Sequence, residues 1–245
     1  MGLRGGLAAQ QAGMSNPRLV LASQSPRRAE LLQLMGLRFD VVGAGVEEAP
    51  RAGEGPAKLV ARLSRAKAGG GPFGTLSEGL FGTLRPGRTD GPGTLVIGCD
   101  TIVSLNGRIL GKPRDPTEAT AMLQCLRGRS HLVWSALTCL GPRGRAETEV
   151  AATRVTMRAY SDAEIAAYVA SGDPLDKAGG YAIQHEGFHP VEQVEGCYAS
   201  VMGLPLCHLA RCLSGWGVAP AKEVPTACQA YTGHRCAVYQ EIITL

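Results

Sequence analysis

Aromatic residues make up only 5% of the 245-residue chain. That scarcity gives little support for the stacking platforms on which single-strand binders hold bases. No apolar stretch approaches the ~20 residues of a membrane-spanning helix, so no membrane partner is expected and a cytoplasmic location is. The eight cysteines include no CxxC pair, and five fall late, at Cys197, Cys207, Cys212, Cys228 and Cys236. Without metal-type spacing, reduced structural thiols are expected. Of the five histidines, His131, His185 and His189 are too dispersed to suggest a metal centre. GxSxG and Walker patterns are also missing. A net charge of +4 with dispersed basic residues is compatible with a small anionic substrate. It is weak support for a nucleic-acid polymer.

What is present alternates between strand and helix signals. Residues 18–22 form an apolar run. Ser25 then stands as an N-cap and Pro26 as the first residue of a helix that runs to about Met35, with Gly36 as its stop. FDVV (39–42) predicts a strand. Leu59, Val60 and Leu63 line one side of a helix over 56–68, with Lys67 one turn further on. Residues 94–110 are rich in β-branched side chains and broken by Asn106-Gly107, a strong hairpin signal. Asp115 to Glu118 and Ser161 to Glu164 have capping-box spacing. Two β-rich runs, 130–140 and 147–158, are joined by GPRG, and a helix follows GLP at 203–205. This order predicts an α/β fold with a mixed sheet. Residues 69–93 carry nine glycines in 25 positions and FGTL twice, which predicts a mobile loop insertion. Residues 1–17 are expected as a flexible extension, with Met14 a candidate functional start. Residues 214–245, without a clear period, are expected as a peripheral tail.

Several polar residues call for a reason. Arg27 and Arg28 occupy the first turn of a helix, where free backbone N–H groups already carry positive charge. An anion docked there, with Ser23 and Ser25 donating, would relieve the conflict. A solvated helix end with two snorkelling arginines is the competing account. Asp100 follows five nonpolar residues, Leu95 to Cys99, inside a strand run, a costly place for an unpaired carboxylate. Together with Glu47-Glu48 it could hold a divalent cation through oxygen ligands; alone, that pair reads as a solvated loop. Lys67 shares its helix with Arg62 and Arg65 and could be a plain exposed charge. Lys112 follows a hairpin strand. Lys177 beside Asp176 could be a simple surface ion pair. Gln184 could read a base edge or cap a strand.

In this order the segments LASQSPRRAELL, GVEEA, ARLSRAKA, VIGCDTIV, ILGKPRD, GDPLDKAGGYAIQ and VEGCYASVMGLPL resemble the Maf family of nucleoside triphosphate pyrophosphatases. The likeness spans about residues 18–213. It implies a Maf/ITPase-like α/β fold, a mixed twisted sheet with flanking helices and two lobes around a central cleft, and a homodimer. It also implies hydrolysis of dTTP, UTP or related pyrimidine and modified nucleotides to the monophosphate and pyrophosphate, removing non-canonical nucleotides. On the matched positions Asp100 is the proton acceptor, and Lys67 and Lys112 are further functional residues of the cleft. Ser23, Arg27, Arg28, Thr101, Lys177 and Gln184 bind or select substrate. Glu48 and Asp100 hold Mg²⁺ or Mn²⁺. A non-catalytic nucleotide-binding regulator of septum formation is the rival reading.

Overall fold

The computed structural model describes residues 17–70 and 93–244. Most of the expected N-terminal extension and the segment 71–92 of the expected insertion lie outside the described residues. The first strand, β1 (Arg18–Ala22), leads through a turn into α1 (Pro26–Gln33), followed by β2 (Phe39–Val42), α2 (Pro56–Ala68) and the long β3 (Thr94–Leu105). Next come β4 (Arg108–Leu110), α3 (Pro116–Leu126), β5 (Ser130–Leu140), β6 (Ala146–Met157) and α4 (Asp162–Ala170). The chain ends with β7 (Val191–Glu195), α5 (Tyr198–Met202), α6 (Leu206–Ser214), α7 (Val224–Thr232) and α8 (Tyr239–Thr244).

The strands form one mixed sheet in the order β2-β1-β3-β5-β6-β7, with β4 paired to β3. β2, β1 and β3 run parallel; β3, β5, β6 and β7 alternate in direction. Because strand side chains alternate between faces, β3 serves three cores. Leu95, Ile97 and Cys99 pack with α1 and α6, and Val103 and Leu105 on the same face pack with α3 and α4. Ile102, on the opposite face, packs under Leu59, Val60 and Leu63 of α2. Each such fully buried leucine contributes roughly 2 kcal/mol. Asn106 and Gly107 take φ of 50° and 81°, as a tight hairpin between β3 and β4 requires.

One gap in this sheet positions everything that follows. β1 pairs with β3 only as far as Ala22 opposite Gly98, and β4 begins its pairing at Val103. Between them, Cys99 to Ile102 have β5 on one side and, among the described residues, no strand on the other. α1 covers one face of the parallel strands and α2 the other, so the gap lies at the carboxyl end of β1 where the connections diverge. Open α/β sheets bind ligands at such a point.

Local differences from the expected signals have physical causes. Ser25 makes no side-chain cap; its own backbone N–H donates to Ser23 Oγ at 3.2 Å. Asp115 caps α3, but Glu118 bonds the Arg114 amide instead of closing the box. Ser161 and Glu164 form the full reciprocal box on α4. The tail from 214 is less peripheral than expected. Val218 and Val224 are buried in the core beside α6, and Tyr239 and Ile242 pack against it. Arg211 of α6 donates to the Ile242 carbonyl at 2.8 Å, which ties α8 down. All eight cysteines are free thiols, as expected.

Candidate active site

The carboxylate of Asp100 sits on the stretch of β3 that is paired only with β5, on the face covered by α2. It is buried, and Lys67 from the last turn of α2 donates to its Oδ1 at 2.5 Å. The same ammonium reaches Glu48, in the loop after β2, at 2.7 Å. Gly98 allows this arrangement: a Cβ there would lie 2.2 Å from the Ser64 carbonyl oxygen, so α2 can rest on β3 only over a glycine. Ser64 then bonds Thr138 of β5 at 2.8 Å and locks the helix in place.

The two carboxylates on Lys67 respond in opposite directions. Burial dominates at Asp100 and raises its pKa, although Lys67 and Arg28 pull against the rise. Glu48 is less enclosed: burial pushes it up, but the Lys67 hydrogen bond and the charges of Lys67, Lys112 and Arg28 outweigh that and lower it. Asp100 is therefore the better proton acceptor of the two. Its Oδ2 makes no hydrogen bond to the described residues.

On the other side of the gap the adjacent arginines part company. Arg28 donates through Nε to the Gly203 carbonyl at 2.9 Å and through Nη1 to the Cys99 carbonyl at 3.0 Å and Ser23 Oγ at 3.3 Å. Its Nη2 reaches Thr101 Oγ1 at 3.2 Å. The guanidinium thus takes the place of the missing strand, bonding the Cys99 carbonyl on the open edge. This leaves it one N–H for a ligand. Arg27 is partly exposed, 3.9 Å from Asp176.

These groups line one cleft of about 360 Å³: Arg27, Arg28, Glu48, Lys67, Asp100, Thr101, Lys112 and Lys177 all face it. Lys112 is exposed at its rim. A wider chamber of about 620 Å³ adjoins it, sharing Arg27, Asp176 and Lys177 and adding Gln184. Ser23 lies outside both, buried behind Arg28, so it supports that arginine and does not face the cleft. Nor is Lys177 a surface ion pair or a free donor. It is buried, and it bonds the Asp173 carbonyl at 2.6 Å, Asp173 Oδ1 at 2.8 Å and Asp176 Oδ1 at 2.6 Å. Those bonds use all three of its protons. Asp173, Gly98 and Ser135 were not singled out from sequence. An isolated glycine within a strand is the one available signal among them, since it marks close backbone approach.

No group of three or more His, Cys, Asp or Glu that could hold a metal occurs among the described residues. Glu48 and Asp100, brought together on one ammonium, still suit a hard divalent cation. Such ions are commonly held by one or two carboxylates with substrate phosphates completing the shell.

Sequence comparison agrees with the geometry. The family model described as Maf-like protein matches residues 18–216. The chain belongs to the Maf family. A dTTP/UTP pyrophosphatase of Syntrophus aciditrophicus (strain SB) is 40% identical over 205 residues, 83% of this chain and 92% of the relative. One from Myxococcus xanthus (strain DK1622) is 45% identical over 188 residues, 77% and 87% of the two chains. Among solved structures, the Staphylococcus aureus Ham1 protein aligns at 16% identity and a TM-score of 0.37, covering 71% of this Maf chain and 79% of that one. That likeness is too low to equate individual site residues. No helix among the described residues is long and apolar enough to cross a membrane.

Proposed function

We propose that this chain hydrolyses nucleoside triphosphates, dTTP and UTP foremost, to the monophosphate and pyrophosphate. The observation that carries the reading is the buried Asp100 carboxylate, held by Lys67 at 2.5 Å and facing a cleft shared with Arg27 and Lys112. The 40–45% identical relatives bearing that activity in their names support it.

In this reading Asp100 takes a proton from a water as the water oxygen forms a bond to the α-phosphorus. The bond from that phosphorus to the α–β bridging oxygen breaks, and pyrophosphate leaves with the electron pair. Lys67, Lys112 and Arg27 supply positive charge toward the phosphate oxygens as their charge grows. Lys67 also keeps Asp100 ionised against the burial that raises its pKa. Arg28 keeps the β3 edge and Thr101 in place. Gln184 and Thr101 contact the nucleoside. Mg²⁺ or Mn²⁺, held by Glu48 and Asp100, would neutralise phosphate charge when bound.

The test is a panel of triphosphates with Mg²⁺ or Mn²⁺, scored for pyrophosphate against single phosphate release. Pyrophosphate release by the native chain and its loss in a folded Asp100→Asn variant are expected. Near-normal hydrolysis by that variant would refute the role of Asp100.

A further inference from the structure

The hydroxyl of Thr101 has its only proton committed inside the protein. Ser135 Oγ donates to the Ser200 carbonyl oxygen at 2.6 Å, an acceptor that has no proton to return. A serine carries one hydroxyl hydrogen. In the 2.8 Å contact between Thr101 Oγ1 and Ser135 Oγ, the serine must therefore accept and the threonine donate. The far end of the chain is equally fixed. Ser200 lies in α5, and its carbonyl also accepts from the Gly203 amide at 3.0 Å, so the carbonyl facing Ser135 has no freedom to turn away. Arg28 Nη2 donates to the same Thr101 oxygen at 3.2 Å and fills one lone pair. Toward a ligand in the cleft, Thr101 can only accept, through the lone pair that remains. Beside it, the second N–H of Arg28 Nη2 has no partner among the described residues. An acceptor next to a donor is the complement of an N–H next to a C=O.

We propose that Ser135 is a specificity-determining positioning residue. By holding the Thr101 proton away from the cleft it leaves an acceptor suited to the ring N3–H of uracil or thymine, whose neighbouring carbonyl meets Arg28. Cytosine presents a lone pair at N3, which would face the Thr101 lone pair. The proposal rests on the pyrophosphatase reading and adds to it a physical basis for choosing among pyrimidines. Ser135 is fully buried and lies outside the cleft, so it acts through Thr101 alone.

The test measures kcat/KM for UTP, CTP, N3-methyl-UTP and 3′-deoxy-UTP with the native chain, Ser135→Ala and Thr101→Val. The native chain is expected to disfavour CTP and N3-methyl-UTP by about tenfold or more against UTP, and to accept 3′-deoxy-UTP. In Ser135→Ala the freed Thr101 hydroxyl can turn and donate to the cytosine nitrogen. The CTP-to-UTP ratio should then rise about tenfold, with N3-methyl-UTP still poor. Thr101→Val, which nearly keeps the shape but loses the acceptor, should erase the preference by losing UTP, and it keeps the proposal falsifiable if Ser135→Ala does not fold. A purely structural loss would lower every substrate alike and leave the ratios fixed; that result overturns the proposal. Native discrimination against 3′-deoxy-UTP in place of N3-methyl-UTP also overturns it, because the sugar would then be the donor. A native chain that releases no pyrophosphate overturns the hydrolase reading and this assignment with it. An active chain with unchanged ratios overturns the assignment alone.

Discussion

Replacing Gly98 by alanine adds one methyl group at the seat of α2. The new Cβ would stand 2.2 Å from the Ser64 carbonyl oxygen, 2.4 Å from the Ala68 amide nitrogen and 2.9 Å from the Ala68 Cα. All three are backbone atoms, so no rotamer change relieves the clash. Ordinary contact begins near 3.4 Å, so the helix must withdraw by roughly 1 Å. That withdrawal stretches the 2.8 Å bond from Ser64 to Thr138 and lifts Leu59, Val60 and Leu63 off Ile102. Overpacking of this kind costs about 2 kcal/mol, which in a chain of this size lowers Tm by roughly 4–8 °C. The same shift draws Lys67 away from Asp100, and a misplacement of ~1 Å at a reacting centre can cost about 100-fold in rate. Thermal unfolding and pyrophosphate release on Gly98→Ala should therefore fall together. Gly45→Ala, where an added Cβ meets nothing within 4 Å, should change neither. Native Tm and turnover in Gly98→Ala would show that α2 does not rest on β3 as described.

The two neighbouring arginines should separate cleanly. Arg28→Lys keeps the charge but loses the forked bonds to Cys99, Thr101 and Gly203, and is expected to lose about 3 kcal/mol in urea unfolding. Arg27→Ala should leave stability unchanged within ~0.5 kcal/mol and raise KM for the triphosphate; equal stability losses would contradict the division. Because burial raises the Asp100 pKa above its ordinary 3.8, the acid limb of kcat/KM should lie above that value. Lys67→Met should move the limb higher still, and a limb that moves down would reverse the assigned role of Lys67. An acid with a raised folded pKa binds its proton more tightly in the native state, so ionising Asp100 costs stability as pH rises through that window. Asp100→Asn should accordingly keep or raise Tm at pH 7 while abolishing turnover. Burial pushes His131 the other way, from 6.5 down to about 4. The unfolded chain then takes up a proton that the native state refuses, and about 3 kcal/mol of stability is lost as pH falls from about 6.5 to about 4. His131→Phe should flatten that slope in urea unfolding at pH 7 and 4.5.

Local signals made much of this molecule legible before its structure. The period of Leu59, Val60 and Leu63 marks α2 at the residues it occupies, 56–68, and Asn106-Gly107 marks the β3–β4 hairpin. Asp100 stands out because a carboxylate in an apolar strand needs a partner, and the partner is Lys67. The tail hides because its helices show no apolar stripe. Only Val224 and Pro225 are buried on α7, nothing is buried on α8, and the α7 cap is Glu223 in place of a serine or aspartate. The division between Arg27 and Arg28 hides for a different reason. Both are arginines in one helical turn, and what separates them is where β1 stops along β3, a pairing between segments about 75 residues apart. That same gap links stability to chemistry. A strand edge left open at Cys99 demands a donor, which Arg28 supplies; the absence of a strand there leaves room for a ligand beside Asp100. Extending β1 by two residues to complete the edge would satisfy the Cys99 carbonyl without Arg28 and fill the cleft. The irregularity in the sheet is thus the condition for having a site at all.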